Sequence, residues 1–287
     1  MTQTTLNASE DQFVPRRRRR GRRRSPGGMS PRDLRQLARL PRAPGIRIRT
    51  RCDGFGAQYL AQISALAWAL QEKRYFYYEP FSKLDHGEDA ASMSEFTGLR
   101  SWGTPADFKK LSHVRFVPEV LKAPNPSLYF NAQLLRIIRE MYYSTPKPSA
   151  CKHAIAIHIR RGDINKGMKS RWLPEKVYIQ LVRMLRQFFP GKSIGIYSQG
   201  APNEFSALTT EGATLELSRD LRETFHELAT ASVLIPAPSC LSYSAAILSE
   251  GTIIHLANDQ NKPLDHWLHS RALSMKRSQL LKIMRDF

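Results

Sequence analysis

Apolar and polar positions follow two different periods along the chain. Short runs of alternating or continuous apolar residues are typical of β-strands, and longer runs with a 3.6-residue period are typical of amphipathic helices. In the first half this pattern predicts strands over 45–52 and 74–81 and helices over 57–73 and 131–143. Residues 82–103 are polar and show no clear period, so we expect a loop there.

The second half of the chain alternates more regularly between strand-like and helix-like runs. The expected strands cover 153–159, 193–198, 213–218, 232–237 and 251–257, and the expected helices cover 174–189, 202–208, 221–231, 240–250 and 265–287. Strands separated by helices are typical of parallel sheets. The predicted fold class is therefore α/β, with two Rossmann-like parallel-sheet domains facing a cleft.

The two prolines of STPKPSA end the helical pattern of the first half. We therefore expect an N-terminal α/β domain over 45–148 and a C-terminal α/β domain over 149–287.

Positive charge is concentrated at the N-terminus. Residues 1–50 hold 14 Lys+Arg against 3 Asp+Glu, and residues 51–287 hold 30 against 22, which divides the net charge of +19 into +11 and +8. Residues Arg16 to Arg24 include eight arginines among Pro, Gly and Ser, so residues 1–44 are predicted to be a disordered basic tail. The tail is either simply solvated or binds a polyanion such as nucleic acid, an anionic membrane surface or an acidic glycan.

Cysteine content and hydropathy narrow the class of protein. Cys52, Cys151 and Cys240 are too few, and odd in number, for a disulfide framework, and no C-x-x-C pair predicts a zinc site. No apolar run reaches the length of a membrane span, and no apolar segment of signal-peptide type follows the basic N-terminus. The simplest interpretation is a soluble protein of a reducing compartment such as the cytoplasm.

Glycines follow the first predicted strand, where α/β sheets commonly bind ligands. Gly54 and Gly56 lie at a strand–helix junction, where small residues let backbone N–H groups approach a phosphate. Tyr59 stands where a dinucleotide-binding fingerprint needs its third glycine, so dinucleotide binding is not favoured. A tight turn without a ligand is the alternative.

Arg160, Arg161, Gly162 and Asp163 follow the strand predicted over 153–159. Two guanidinium groups at one strand end can bind a diphosphate, Gly162 permits a sharp turn, and Asp163 can orient an arginine. A surface salt bridge is the alternative. A cell-adhesion role for the Arg-Gly-Asp tripeptide is not favoured, because such tripeptides are frequent by chance.

Two further strand ends carry small polar residues. Ser198 ends one strand, and Ser239 and Cys240 follow another at the start of a predicted helix. Ser239 can cap that helix, and the same helix terminus can accept an anion. Capping alone is the alternative, but polar residues at three strand ends of one sheet together favour a phosphate site.

The segment HIRRGD (158–163), together with residues 223–254, resembles the GDP-fucose-dependent fucosyltransferases, whose α1,6 and α1,2 groups share an H-x-R-R-x-D motif. The stretch GFGAQ is similar to their glycine-rich N-terminal motif, and the resemblance spans residues 45–260. It implies a GT-B fold and a metal-independent, inverting transfer of fucose from GDP-fucose to a glycan hydroxyl. The C-terminal domain would bind the GDP-sugar, and the N-terminal domain would face the acceptor.

The resemblance also implies roles for individual residues. Arg160 would bind the donor diphosphate and take up charge as GDP leaves, and Arg161 would support the phosphates or the loop. His158 would lie near the nucleotide, and Glu223 would hold the guanine. The remaining residues expected to line the substrate site are Gly54, Gly56, Ser198, Ser239 and Cys240.

The expected mechanism also needs a group that balances the charge of the leaving diphosphate and a base that deprotonates the acceptor. No two aspartates are two residues apart, so the D-x-D metal motif of other glycosyltransferases is absent, and no metal or cofactor is expected beside the donor GDP-fucose. A base must accept the proton of the acceptor hydroxyl. The α1,6 enzymes use a glutamate as this base, but Met168 occupies the corresponding position here. Asp163 is therefore the candidate base.

Three alternatives to a fucosyltransferase stay open for this protein. A transferase of the same fold can use another nucleotide sugar. A degenerate transferase can bind a glycan without turnover. A nucleic-acid-binding protein can act through the arginine tail.

Overall fold

A computed structural model describes residues 45–48, 53–102, 111–114, 120, 123–164, 171–256, 258 and 260–270. The arginine tail, Cys52 and Met168 lie outside the described residues, so what the sequence predicts for them stays a prediction.

The first half of the chain forms a parallel sheet with the strand order β2-β1-β3 among its described residues. Its strands are β1 (Gly45–Ile48), β2 (Phe76–Tyr77) and β3 (Leu111–Val114). Its helices are α1 (Phe55–Gln71), α2 (Ala90–Thr97) and α3 (Ala132–Tyr142). Helix α1 begins two residues earlier than expected, so Phe55 and Gly56 belong to its first turn.

Helix α2 is a correction to the predicted loop over 82–103. Asp89 caps it by accepting hydrogen bonds from the backbone N–H groups of Ala91 and Ser92, and Gly98 ends it in the left-handed conformation with φ 63°. The helix has only eight residues and buries few side chains, so its apolar period is too short to stand out in the sequence.

The second half forms a parallel sheet with the order β6-β5-β4-β7-β8-β9. Its strands are β4 (Ile155–His158), β5 (Ile194–Ser198), β6 (Thr214–Leu217), β7 (Val233–Ile235), β8 (Thr252–His255) and β9 (Leu268–His269). The connecting helices are α4 (Glu175–Phe188), α5 (Ser206–Thr210), α6 (Leu221–Thr230) and α7 (Cys240–Leu248).

This strand order is that of a doubly wound sheet, in which the direction of winding reverses between β4 and β7. The predicted α/β class, with two parallel sheets on either side of a cleft, is confirmed. The strands expected over 153–257 are confirmed as well, each a little shorter than its sequence pattern.

The final helix predicted over 265–287 is wrong where the structure describes it. Leu268 and His269 form β9, which pairs with Ile254 and His255 of β8. The neighbouring Trp267 is buried, so local helical periodicity is overridden here by pairing with the sheet edge. Residues 271–287 lie outside the described part.

Helices from both halves share one core. The ring of Phe225 on α6 lies 5.2 Å from Phe55, 5.6 Å from Tyr59, 6.1 Å from Phe96 and 5.9 Å from Tyr142, measured between ring centroids. Aromatic pairs of this kind contribute about 0.5–1.5 kcal/mol each beyond their buried area. The second half therefore inserts an aromatic side chain into the helices of the first.

Arg139 of α3 adds a polar link between the halves. Its Nε donates to the carbonyl of Leu248 at 2.8 Å and its Nη2 to the carbonyl of Ser249 at 2.5 Å. These carbonyls end α7, where a cation satisfies acceptors that the helix leaves unpaired. The domain boundary expected near residue 148 falls between α3 and β4 and stays a prediction, because both halves contribute to the same core.

Candidate functional site

A cleft of about 840 Å³ lies at the carboxyl ends of β1, β4, β5 and β7. Every residue that the sequence analysis assigned to the site, except Glu223, lines this cleft. These residues are Gly54, Gly56, His158, Arg160, Arg161, Asp163, Ser198, Ser239 and Cys240.

Two helix N-termini meet at the cleft. Helix α1 begins after Gly54, and α7 begins after Ser239, whose Oγ accepts a hydrogen bond from the N–H of Leu241. A Cβ atom on Gly56 would lie 2.5 Å from the Cα and N atoms of Leu241, so a glycine is required for the first turns to approach this closely. Each N-terminus carries a partial positive charge, and the pair therefore favours an anion.

Arg160 extends from the end of β4 towards α7. Its Nε lies 3.2 Å from Asp163 Oδ1 and its Nη2 lies 2.5 Å from Asp163 Oδ2. Its Nη1 donates to Ser239 Oγ at 3.4 Å. The carboxylate thus fixes the guanidinium beside the N-terminus of α7. Gly162 makes the turn between the two residues possible, because its φ of +84° is unfavourable for other residues.

Arg161 is buried and faces a different set of partners. Its guanidinium carbon lies 3.7 Å from the centre of the Trp172 ring. Its Nη1 donates to the carbonyl of Arg160 at 2.8 Å and its Nη2 to that of Leu173 at 2.9 Å. Burial lowers the pKa of the guanidinium. Of the two roles considered for Arg161, this geometry fits support of the loop that carries Arg160.

His158 is the last residue of β4 and is 8% exposed. Burial, followed by the positive charge of Arg160, lowers the pKa of His158 to about 3. Its Nδ1 has no hydrogen-bond partner among the described residues. The imidazole is therefore neutral at physiological pH, and it can bind a ligand as a neutral polar group but not as a cation.

Ser198 and Cys240 form part of the floor of the cleft. Ser198 Oγ donates to the carbonyl of Ile159 at 2.7 Å and so joins the ends of β5 and β4. Cys240 Sγ accepts a hydrogen bond from Gln260 Nε2 at 3.6 Å, and burial raises the pKa of the thiol. Cys240 is consequently a neutral thiol in the first turn of α7.

Glu223 does not line the cleft. Leu221 and Thr224, which share one face of α6, line it, whereas Glu223 is rotated away and borders a second pocket of about 520 Å³. Its carboxylate accepts a hydrogen bond from Arg219 Nη2 at 2.8 Å, and Arg219 is the member of this pair that lines the cleft. The guanine-binding role of Glu223 stays a prediction.

Several residues of the cleft were not predicted from the sequence. They include the acidic residues Asp53, Asp85 and Glu88, the basic residues Arg171 and Arg219, and the amides Gln260 and Asn261. Asp53 directly precedes Gly54 and follows the strand predicted over 45–52, and this position in the sequence could have indicated that it lines the site. The others lie on loops or helix starts that carry no recognisable pattern.

Metal clusters and membrane-spanning helices are both absent from the described residues. These residues contain no group of three or more His, Cys, Asp or Glu side chains that could hold a metal ion. None of the helices they form is both long and apolar enough to span a membrane.

Comparison with known proteins gives distant structural likenesses. No protein-family model matches the chain, and no curated protein does. Escherichia coli heptosyltransferase WaaC with ADP shares 12% identity over 79% of this chain and 91% of its own, with a TM-score of 0.42. A variant of Arabidopsis thaliana FUT1 with GDP shares 14% sequence identity over 80% of this chain and 76% of its own, with a TM-score of 0.41. The fucosyltransferase NodZ from Bradyrhizobium shares 11% sequence identity over 77% of this chain and 97% of its own, with a TM-score of 0.38. Similarities at this level assign neither a family nor a donor to the chain.

Proposed function

We propose that this protein is a glycosyltransferase that transfers fucose from GDP-fucose to a glycan hydroxyl. The observation that carries the proposal is the position of Arg160, which Asp163 holds beside Ser239 at the N-terminus of α7. A guanidinium and two helix N-termini at one cleft form a site suited to a diphosphate. The cleft volume of about 840 Å³ also lies within the range of small-molecule sites, about 300–1,000 Å³.

The chemistry follows from the charge that develops during transfer. As the bond between sugar C1 and the diphosphate oxygen breaks, negative charge grows on the leaving GDP. Groups that bind this charge more strongly in the transition state than in the ground state lower the barrier. Arg160 and the N-terminus of α7 supply positive charge there, and Asp163 keeps Arg160 in place while the charge develops. In this proposal the arginine has the part that a metal ion has in D-x-D enzymes.

Another nucleotide sugar is the main competing donor, since a diphosphate site alone does not distinguish guanine from other bases. The nucleic-acid alternative depends on residues 16–24, outside the described part, and nothing in the cleft supports it.

The test is calorimetric binding of GDP, UDP, ADP and NAD to the wild type and to Arg160→Ala. Arg183→Ala is a matched control, because Arg183 is 60% exposed and pairs with Glu211 on the surface. We expect selective GDP binding, a loss of at least about ten-fold in Arg160→Ala, and no change in Arg183→Ala. Stronger binding of UDP or ADP than of GDP would mean that the donor carries uridine or adenosine instead of guanosine. Absence of binding to any nucleotide would overturn the proposal.

A further inference from the structure

Asp53 is a carboxylate on the wall of the cleft that belongs to the first sheet. It follows β1, directly before Gly54, whereas Arg160 and Ser239 come from the second sheet. Asp53 is half-buried, and its Oδ1 accepts a hydrogen bond from the N–H of Gly54 at 3.0 Å. An acidic group from one sheet therefore shares the cleft with the anion-binding groups of the other.

The backbone of Asp53 is held by a buried side chain. Gln58, which is 6% exposed, donates through Nε2 to the carbonyl of Asp53 at 2.8 Å and to that of Lys83 at 2.7 Å. The Asp53 carbonyl also accepts from the N–H of Asp85 at 3.2 Å. The backbone of Asp53, just before α1, is thus fixed to the next loop, as a group that must meet a substrate in one geometry requires.

Asp53 and Arg160 both line the cleft, together with Cys240, the first residue of α7. Burial raises the pKa of the Cys240 thiol, Arg160 lowers it, and Asp53 raises it, so both charges act on the first residue of α7. A cation from the second sheet and a carboxylate from the first are therefore present in the same cleft.

Asp163, the base expected from the sequence, is less suited to accept a proton. Both of its carboxylate oxygens contact the Arg160 guanidinium. Protonation would weaken this ion pair at the moment when Arg160 must oppose the charge on the leaving group. Asp163 is therefore a positioning residue for Arg160.

We propose that Asp53 is the general base of the transfer; this inference rests on the proposed function. The acceptor oxygen forms a bond to sugar C1 and gives its proton to the Asp53 carboxylate. The bond between C1 and the diphosphate oxygen breaks, and its electron pair leaves with GDP. An inverting displacement needs the base on the face of the sugar opposite the leaving group. Asp53 follows a strand of the first sheet and Arg160 a strand of the second, so in this proposal the sugar lies between them in the cleft that both line.

The test uses Asp53→Asn, which keeps an oxygen that can accept from Gly54 and so preserves the turn. GDP binding is measured by calorimetry, and GDP release from GDP-fucose is measured with water as the acceptor, which also needs deprotonation. We expect GDP affinity within about three-fold of wild type and GDP release lowered by about 100-fold or more. Asp53→Glu should recover part of the rate. Glu140→Gln, a carboxylate-to-amide change on the exposed face of α3, should leave both values unchanged.

The outcomes separate the two proposals. If the wild type binds no GDP, the proposed function fails and this inference fails with it. If the wild type binds GDP and releases it from GDP-fucose, but Asp53→Asn keeps the full rate, Asp53 alone is overturned. An equal loss of GDP affinity and rate in Asp53→Asn also overturns it, because it would indicate a binding or structural role. A loss in Asp85→Asn without one in Asp53→Asn would move the base to Asp85.

Discussion

A hydrogen bond of 3.4 Å from Arg160 Nη1 to Ser239 Oγ joins the end of β4 to the N-terminus of α7. Strands β4 and β7 are neighbours at the point where the winding of the sheet reverses. The chain leaves these two strands in opposite directions there, so a crevice opens beyond their carboxyl ends. The contact therefore spans the position at which a doubly wound sheet most often binds its ligand.

Replacing Ser239 by alanine should affect both stability and nucleotide binding. Ser239 is 3% exposed and caps α7 through Leu241, so its loss should lower the free energy of unfolding by about 1 kcal/mol. GDP affinity should fall because Arg160 loses one of its contacts. Urea denaturation and calorimetry measure the two effects, with Ser82→Ala as an exposed control. Unchanged stability would contradict the capping role, and unchanged GDP affinity would contradict a role for the contact with Arg160.

Gly56→Ala tests the close approach of the two helices. The added Cβ would lie 2.5 Å from the backbone of Leu241, so α1 and α7 must separate, at a cost of about 1–3 kcal/mol or more. Gly87→Ala is the control: its φ is +80°, but apart from its chain neighbours no atom of the described residues lies within 4 Å of the added Cβ, so it should show backbone strain alone. Urea denaturation of both variants separates the two contributions. A smaller loss for Gly56→Ala than for Gly87→Ala would show that the contact is not tight.

Most of the second sheet could be predicted because β4, β5, β7 and β8 are largely buried and α4 and α6 are amphipathic over several turns. Arg160 and Ser239 could be assigned to the site for the same reason, since the carboxyl ends of parallel strands meet at one edge. Elements with few residues were not accessible in this way. Helix α2 depends on the Asp89 and Gly98 caps, and β9 depends on pairing with β8.

The direction in which individual side chains point could not be predicted from the sequence either. Glu223 has the spacing that the resemblance requires, yet consecutive helical residues point about 100° apart, and Thr224 faces the cleft instead. Asp53 was visible beside the glycines, but its relation to Arg160 depends on how the two sheets face each other. Such relations arise from tertiary packing and leave no periodic pattern.

His158 should make stability depend on pH. Its pKa is about 3 in the folded protein against an ordinary 6.5, so above pH 6.5 the group is neutral in both states. As the pH falls from 6.5 towards 3, the unfolded chain binds a proton that the folded protein does not, and stability is lost. Relative to His158→Gln, the wild type should lose up to about 1.4 kcal/mol per pH unit in this window. Urea denaturation at pH 7, 6, 5 and 4 measures the difference, and parallel curves would contradict the neutral, buried state.

Glu223→Gln distinguishes the geometry of the cleft from the role that the sequence resemblance implies. Because Glu223 borders the second pocket and reaches the cleft only through Arg219, we expect GDP affinity to change by less than about three-fold. Stability should fall slightly, because the side chain is 47% exposed and exposed ion pairs contribute about 0.2–1 kcal/mol. Calorimetry with GDP and ADP measures the effect, with Arg160→Ala for comparison. A loss of ten-fold or more for GDP but not for ADP would mean that this carboxylate reaches the guanine when the donor binds.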